Sequence, residues 1–117
     1  MSDDSLTRLR DALRAFAAER DWEQFHTPKN LAMALTGEVG ELVEHFQWLT
    51  PQQSAGLSPE QREAVALEMA DVLLYLLRLG DVLGIDLAQA AERKITINAE
   101  RYPVARARGN ARKYDRL

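Results

Sequence analysis

The sequence contains no cysteine. Disulfides, thiolate metal sites and a cysteine nucleophile are therefore excluded, and a reducing, cytoplasmic setting is expected. Excess basic charge is missing too: the formal net charge is -3 and the isoelectric point is near 5.4. Neither nucleic acid nor an anionic membrane is expected as a partner on electrostatic grounds. Long apolar runs are absent. The longest, VLLYLL at 72–77, is far too short to span a bilayer. The opening MSDDSLTRLR lacks the apolar stretch of a signal peptide, so none is expected. Strand-like alternation, internal repeats and low-complexity segments are also lacking.

What remains is 117 residues that are 46% hydrophobic and 28% charged. That is ordinary globular composition and enough for one domain, residues 1–117, with one core. Helical spacing and helix punctuation predict an all-α, four-helix bundle-type fold. The first helix runs from about Ser5 to Arg20, with Leu6, Leu9, Leu13 and Phe16 at three- and four-residue spacing. The second opens at TPKN, with Thr27 as N-cap and Pro28 in the first helical position. It should run to about Leu49, followed by a turn-rich connection, TPQQSAGLSP. The third opens at SPEQ, where Ser58 and Gln61 form a capping box, and should end near Gly84, with a potential break at Gly80. The fourth opens at Asp86 and ends before Pro103, leaving residues 104–117 as a basic C-terminal arm. The third helix is apolar nearly all round between Val72 and Leu83. Burial on several sides in so small a chain implies an oligomer whose core is shared between subunits.

The acids carry the chemistry. Glu38 and Glu41 lie three apart on the second helix; Glu68 and Asp71 lie three apart on the third, just before its most apolar run. At about 100° per residue, Asn30, Ala34, Glu38, Glu41, His45 and Trp48 share one stripe, and Ala64, Glu68, Asp71, Tyr75 and Arg78 share another. Such acid pairs are common on solvated faces. If these stripes face each other beside apolar residues, however, four carboxylates crowd a poorly hydrated space, which needs cations. Oxygen-only ligation favours Mg²⁺, with Mn²⁺ as a substitute, over zinc. Gly37 and Gly40 lie to one side of the acids, each costing about 1 kcal/mol against alanine in a helix. A bare backbone there admits a neighbouring helix or a ligand.

A magnesium cluster suggests phosphate chemistry, and phosphates want cations and amides nearby. Lys94, Asn98 and Arg101 share a face of the fourth helix. Trp22, Phe25 and Trp48 could sandwich a base.

Three segments, DWEQFHTPKNLAMALTGEVGELVEHFQW, LEMADVLLYLLRLG and KITINAERYP, resemble the MazG-like all-α nucleoside triphosphate pyrophosphohydrolases, most closely their dCTP pyrophosphatase branch. The resemblance runs from about residue 13 to 115. It implies that Glu38, Glu41, Glu68 and Asp71 are the magnesium ligands and catalytic acids. It further implies a nucleotide pocket lined by Trp22, Glu23, Gln24, Phe25 and His26; Asn30, on the stripe of Glu38 and Glu41, is a further candidate substrate contact. Trp48 would stack on or near the base, Tyr75 would be a pocket residue, and Lys94 and Asn98 would lie near the phosphates and sugar. The family's active form, a tetramer or dimer, agrees with the apolar third helix, and a tetramer is favoured. Leu13 stands where the animal branch has a histidine and Thr96 where it has an acid; these departures bear on substrate preference. His45 falls at an apolar position of the branch and is read as packing, or as a neighbour of the ligands.

The expected activity is Mg-dependent hydrolysis of a deoxynucleoside triphosphate, dCTP or a modified dCTP, to monophosphate and pyrophosphate, serving nucleotide-pool sanitation. A broader dNTP or dUTP pyrophosphohydrolase on the same scaffold is the nearest alternative. A non-catalytic helical metal-binding or interaction module is a second. A ferritin-type di-metal bundle wants Glu-x-x-His from each of two helices; with only His26 and His45 present, no such pair exists.

Overall fold

Short polar caps at Thr27, Thr50, Ser58 and Asp86 each set a helix start, and the structure, a computed structural model, describes residues 4–117. The first three residues of the expected domain, and with them the start of the MSDDSLTRLR segment, lie outside the described residues. Helix α1 spans Ser5–Glu19, followed by a 3-10 turn at Glu23–Phe25. Helix α2 spans Pro28–Glu44, α3 Pro51–Ala55, α4 Pro59–Val82, α5 Leu87–Arg101 and α6 Val104–Ala107, and a last 3-10 turn covers Tyr114–Arg116. The described residues include no strand, and none of their helices is long and apolar enough to cross a membrane.

The expected caps are in place. Thr27 Oγ1 accepts from the Asn30 N–H at 3.1 Å, and Ser58 and Gln61 form a reciprocal capping box. Asp86 accepts from the Gln89 N–H at 3.0 Å. Helix α4 passes Gly80 unbroken and ends in a Schellman turn. There Ile85 donates to the Gly80 carbonyl at 2.8 Å and Gly84 to Asp81 at 3.0 Å, with Gly84 at φ +70°, a left-handed conformation glycine adopts without strain.

Two expectations change. Helix α2 stops at Glu44, not Leu49, because Thr50 and Pro51 begin a new helix. Thr50 accepts from the Gln53 N–H at 3.1 Å and donates its own N–H to the Gln53 side chain at 2.9 Å. The proline cannot continue the preceding helix. The connection is therefore partly helical, and Trp48 sits in the turn rather than on the acid stripe. The C-terminal arm is likewise structured. It carries α6, and Tyr114 packs edge-on against Tyr102 with ring centroids 6.1 Å apart while Arg101 lies 4.7 Å over the Tyr114 ring.

The chain divides into two compact units, the first ending at Ile85 and the second covering Asp86–Leu117. In the first, α1 and α2 both pack on α4. Its buried apolar residues are Ala17, Leu31, Val65 and Leu77, one or two from each packed helix. Larger apolar side chains stay exposed along the same helices: Val39 and Val43 on α2, and Leu67, Met69, Leu73 and Leu76 on α4. An added Cβ at Gly37 or Gly40 would meet nothing within 4 Å. Tight packing on α1 or α4 within the first unit therefore does not explain these glycines.

Candidate active site

The α2–α4 contact brings the acid stripes together. Glu38, Glu41 and Glu68 each offer a carboxylate oxygen, and these atoms lie within 4.8 Å of one another. One oxygen each of Glu38 and Glu68 is buried with no hydrogen-bond partner. Buried polar atoms are normally satisfied, so two orphans side by side require an explanation. Burial, then the neighbouring Glu41 carboxylate, then Asp71 and Glu68, push the Glu38 carboxyl up to about 7. Glu68 is raised by burial and by Glu41 and Asp71, with only His45 opposing. Asp71 is not among the three acids in mutual ligand reach, but its charge acts on both Glu38 and Glu68. Undonated buried oxygens with a third carboxylate in reach fit a divalent cation that takes oxygen ligands.

Asp71 also lines a cavity of about 290 Å³ in the first unit. Leu13, Phe16, Leu31 and Leu74 form its apolar walls; Trp22, His26, Tyr75 and Arg78 complete it. The volume is near the lower end of the about 300–1,000 Å³ typical of ligand sites, a size suited to one ring system. Trp22 is delivered there by the end of α1. Asp21 sits at φ 54°, and the Trp22 N–H donates to the Ala17 carbonyl at 2.9 Å while the Asp21 N–H donates to Ala18 at 3.2 Å. This is the same Schellman turn as at Gly84, here with aspartate at the left-handed position, which Asp tolerates better than most residues. Gln24 supports it by donating to the Asp21 carbonyl at 2.9 Å and to its side chain at 3.0 Å. The Trp22 ring then stands edge-on to Phe16, 5.7 Å away, and to His26, 6.3 Å away.

A paired-charge network runs beside the cavity. Arg14 forks onto Asp81, Nε to Oδ2 at 2.7 Å and Nη2 to Oδ1 at 2.6 Å. Arg78 Nη1 reaches Asp81 Oδ2 at 3.3 Å, and Arg78 Nε donates to His26 Nδ1 at 3.0 Å. The bond from Arg14 holds the Asp81 carboxyl below its ordinary range, and this outweighs burial. Burial, then the Arg78 charge, lowers the His26 imidazole against the opposing pull of Glu23.

The other sequence-predicted residues sort as follows. Glu23 lines a shallow groove with Arg14, Arg78 and Asp81 rather than the cavity. The Gln24 amide is engaged by Asp21, and the Asn30 amide donates to the Phe25 carbonyl at 3.0 Å; both shape the backbone around Trp22 and His26. Phe25 is 59% exposed and Trp48 86% exposed, and neither lines the cavity. The expected sandwich of Trp22, Phe25 and Trp48 is therefore not assembled within the chain. Instead Phe16 partners Trp22, a role its three-residue spacing from Leu13 could have signalled. Lys94 and Asn98 are exposed on α5 in the second unit. Arg14 and Asp81 were missed altogether.

A model of the MazG-like family matches residues 34–117. The chain belongs to this family. Among named MazG-like relatives, human dCTP pyrophosphatase 1 is 49% identical over 115 residues, covering 97% of this chain and 68% of the human protein. The bovine dCTP pyrophosphatase 1 is 48% identical, covering 99% of this chain and 70% of the bovine protein. Among solved structures, a pyrophosphatase from Archaeoglobus fulgidus superposes with a TM-score of 0.81 at 39% identity. That match covers 88% of this chain and 96% of the archaeal one. The MazG-like match starts inside α2, before Glu38, and runs through α4 and all of the second unit, so it includes both acid pairs and also Lys94 and Asn98.

Proposed function

We propose that this MazG-like chain hydrolyses a deoxynucleoside triphosphate, with dCTP or a base-modified dCTP as substrate, to the monophosphate and pyrophosphate, and so removes unwanted nucleotides from the pool. The observation that carries the reading is the double position of Asp71. It adds to the charge on Glu38 and Glu68 and also lines the ring-sized cavity, so a base and its triphosphate can be served by adjoining sites. The names of the relatives support the same chemistry.

In this reading Glu38, Glu41 and Glu68 hold Mg²⁺, or Mn²⁺ in its place, and Asp71 is the fourth acid. Such an ion supplies charge neutralisation for the phosphates and a lowered pKa for water. Trp22 and Tyr75 confine the base, while the apolar walls exclude solvent. Water attacks at the α–β anhydride: one P–O bond forms, one breaks, and a carboxylate of the cluster takes the water's proton. On the family resemblance, Lys94 and Asn98 of α5 are proposed as contacts for phosphate and sugar. A homotetramer covers the apolar side chains exposed on α2 and α4 and gives the exposed Trp48 ring a place against the base. A dimer would serve the same purpose with less area. Broader dNTP or dUTP hydrolysis is favoured by one observation: Leu13 places no polar group at its own position in the cavity wall.

The test is incubation with each canonical dNTP and 5-methyl-dCTP, with and without Mg²⁺, followed by separation of products. Monophosphate plus pyrophosphate, strongest with the cytosine nucleotides, is expected. Diphosphate plus phosphate would mean a different cleavage, and no turnover of any nucleotide would favour a binding module.

A further inference from the structure

Arg78 lies at the junction of the cavity and the paired-charge network, and nothing in the proposed hydrolysis uses it. It is only 9% exposed, so its guanidinium has little freedom, and the Arg14–Asp81 fork anchors it from behind. Guanidinium only donates hydrogen bonds. The ring nitrogen facing it at 3.0 Å, His26 Nδ1, must therefore present a lone pair. A neutral imidazole with an acceptor at Nδ1 carries its proton on Nε2. Protonating Nδ1 instead would aim an N–H at the guanidinium and break the bond. The lowered imidazole pKa agrees with a ring kept neutral beside a cation.

We propose that Arg78 is a positioning residue for base recognition: it locks His26 in the Nε2–H tautomer, so that the ring offers the cavity a fixed hydrogen-bond donor. The Trp22 indole and the Arg78 guanidinium, which also line the cavity, are likewise donor-only groups. Asp71, an acceptor, and Tyr75, which donates or accepts, also line the cavity; the fixed donor on His26 favours a ligand edge that carries acceptors. The carbonyl O2 and ring N3 of cytosine have that chemistry. A site built on a fixed donor leaves that donor unpaired when the ligand lacks the acceptor, and this penalty is the source of selectivity. The inference rests on the cavity being the base site, as proposed above.

The tautomer can be read without any activity. In protein labelled with ¹⁵N-histidine, a long-range ¹H–¹⁵N spectrum separates protonated from bare ring nitrogens. With only two histidines in the chain, a His26→Gln spectrum assigns them. His26 should be neutral at pH 7.5, with a bare Nδ1 and a protonated Nε2, and adding dCMP should shift the Nε2 resonance. Arg78→Met should mix the tautomers and raise KM for dCTP about tenfold, the loss expected for one hydrogen bond of ordinary strength, with kcat changed less than about twofold. Arg78→Lys, which keeps a donor and the charge, should restore part of both. A proton on Nδ1 in the unaltered protein overturns the proposal even if no variant folds. A tautomer or KM that Arg78→Met leaves unchanged also overturns it, as does a dCMP titration that leaves Nε2 unmoved in an enzyme that turns over dCTP. Failure of the functional reading looks different: the unaltered enzyme would turn over no nucleotide, whatever the state of the His26 ring.

Discussion

On α4, Glu68 belongs to a group of carboxylates in which one oxygen each of Glu38 and Glu68 is buried without a donor, whereas Arg78 and Asp81, further along the same helix, are bonded to each other, to Arg14 and to His26 at 2.6–3.3 Å. Both clusters are charged and both sit where α4 meets another helix. One is paired within the chain; the other is a set of carboxylates in which, among the described residues, no hydrogen bond reaches the buried oxygens of Glu38 and Glu68. A fold selected only for stability would leave the first kind and remove the second. The unsatisfied cluster is thus the part of the molecule that waits for something from outside, and the satisfied one holds its surroundings in place.

Substitutions should therefore have opposite consequences in the two regions. The largest effect is expected for Glu38→Gln, which should lower Mg-dependent turnover by about 100-fold or more while raising the melting temperature of the metal-free protein. Loss of both activity and stability would erase the contrast. Asp81→Ala should do the reverse, costing about 2–3 kcal/mol in denaturant unfolding because it strands Arg78 and loosens Arg14. A change below about 0.5 kcal/mol would mean that the fork contributes little.

The pH dependence sharpens the comparison further. Glu38 holds its proton up to about pH 7 when folded but has an ordinary value of 4.5. Across that window the folded chain binds protons that the unfolded chain has released, so its contribution to stability is full in acid and is lost as pH rises. Asp81 is shifted the other way from 3.8, so its contribution is present above that value and is lost as pH falls. Metal-free protein should melt at progressively lower temperature from pH 5 to pH 8, and Glu38→Gln should flatten that slope. The smallest effect is expected at Gly40→Ala. With open space around the added methyl, it should stabilise the helix by about 0.5–1 kcal/mol, measured by thermal unfolding. A loss there would mean that another copy or segment already occupies the space.

Much of this was legible before the structure, for local reasons. The acid pairs follow from three-residue spacing on helices, and the helix starts at Pro28, Pro59 and Leu87 follow from the caps that precede them. Helix α3 carried the same signal, Thr50 with Gln53, and was overlooked because it lay in a segment rich in turn residues. Trp48 was placed by extending the α2 period five residues too far, past the real end of the helix at Glu44. Trp22 and Phe25 stood out as aromatics able to stack on a base, but the pocket-lining role of the whole Trp22–His26 segment entered through family resemblance, since a Schellman turn with aspartate rather than glycine leaves little trace in the sequence. The Arg14–Asp81 fork joins residues 67 apart, and no periodicity reports a pairing of that kind.

The central claim is that the charge missing from the Glu38–Glu41–Glu68 cluster is supplied by a divalent cation. Calorimetric titration of Mg²⁺ into metal-free protein at pH 7, repeated in buffers of different ionisation enthalpy, measures binding and proton release together. Saturable binding that expels protons, with the proton release largely lost in Glu38→Gln, is the predicted result. No saturable heat, or binding with the same proton release in Glu38→Gln as in the unaltered protein, would contradict it.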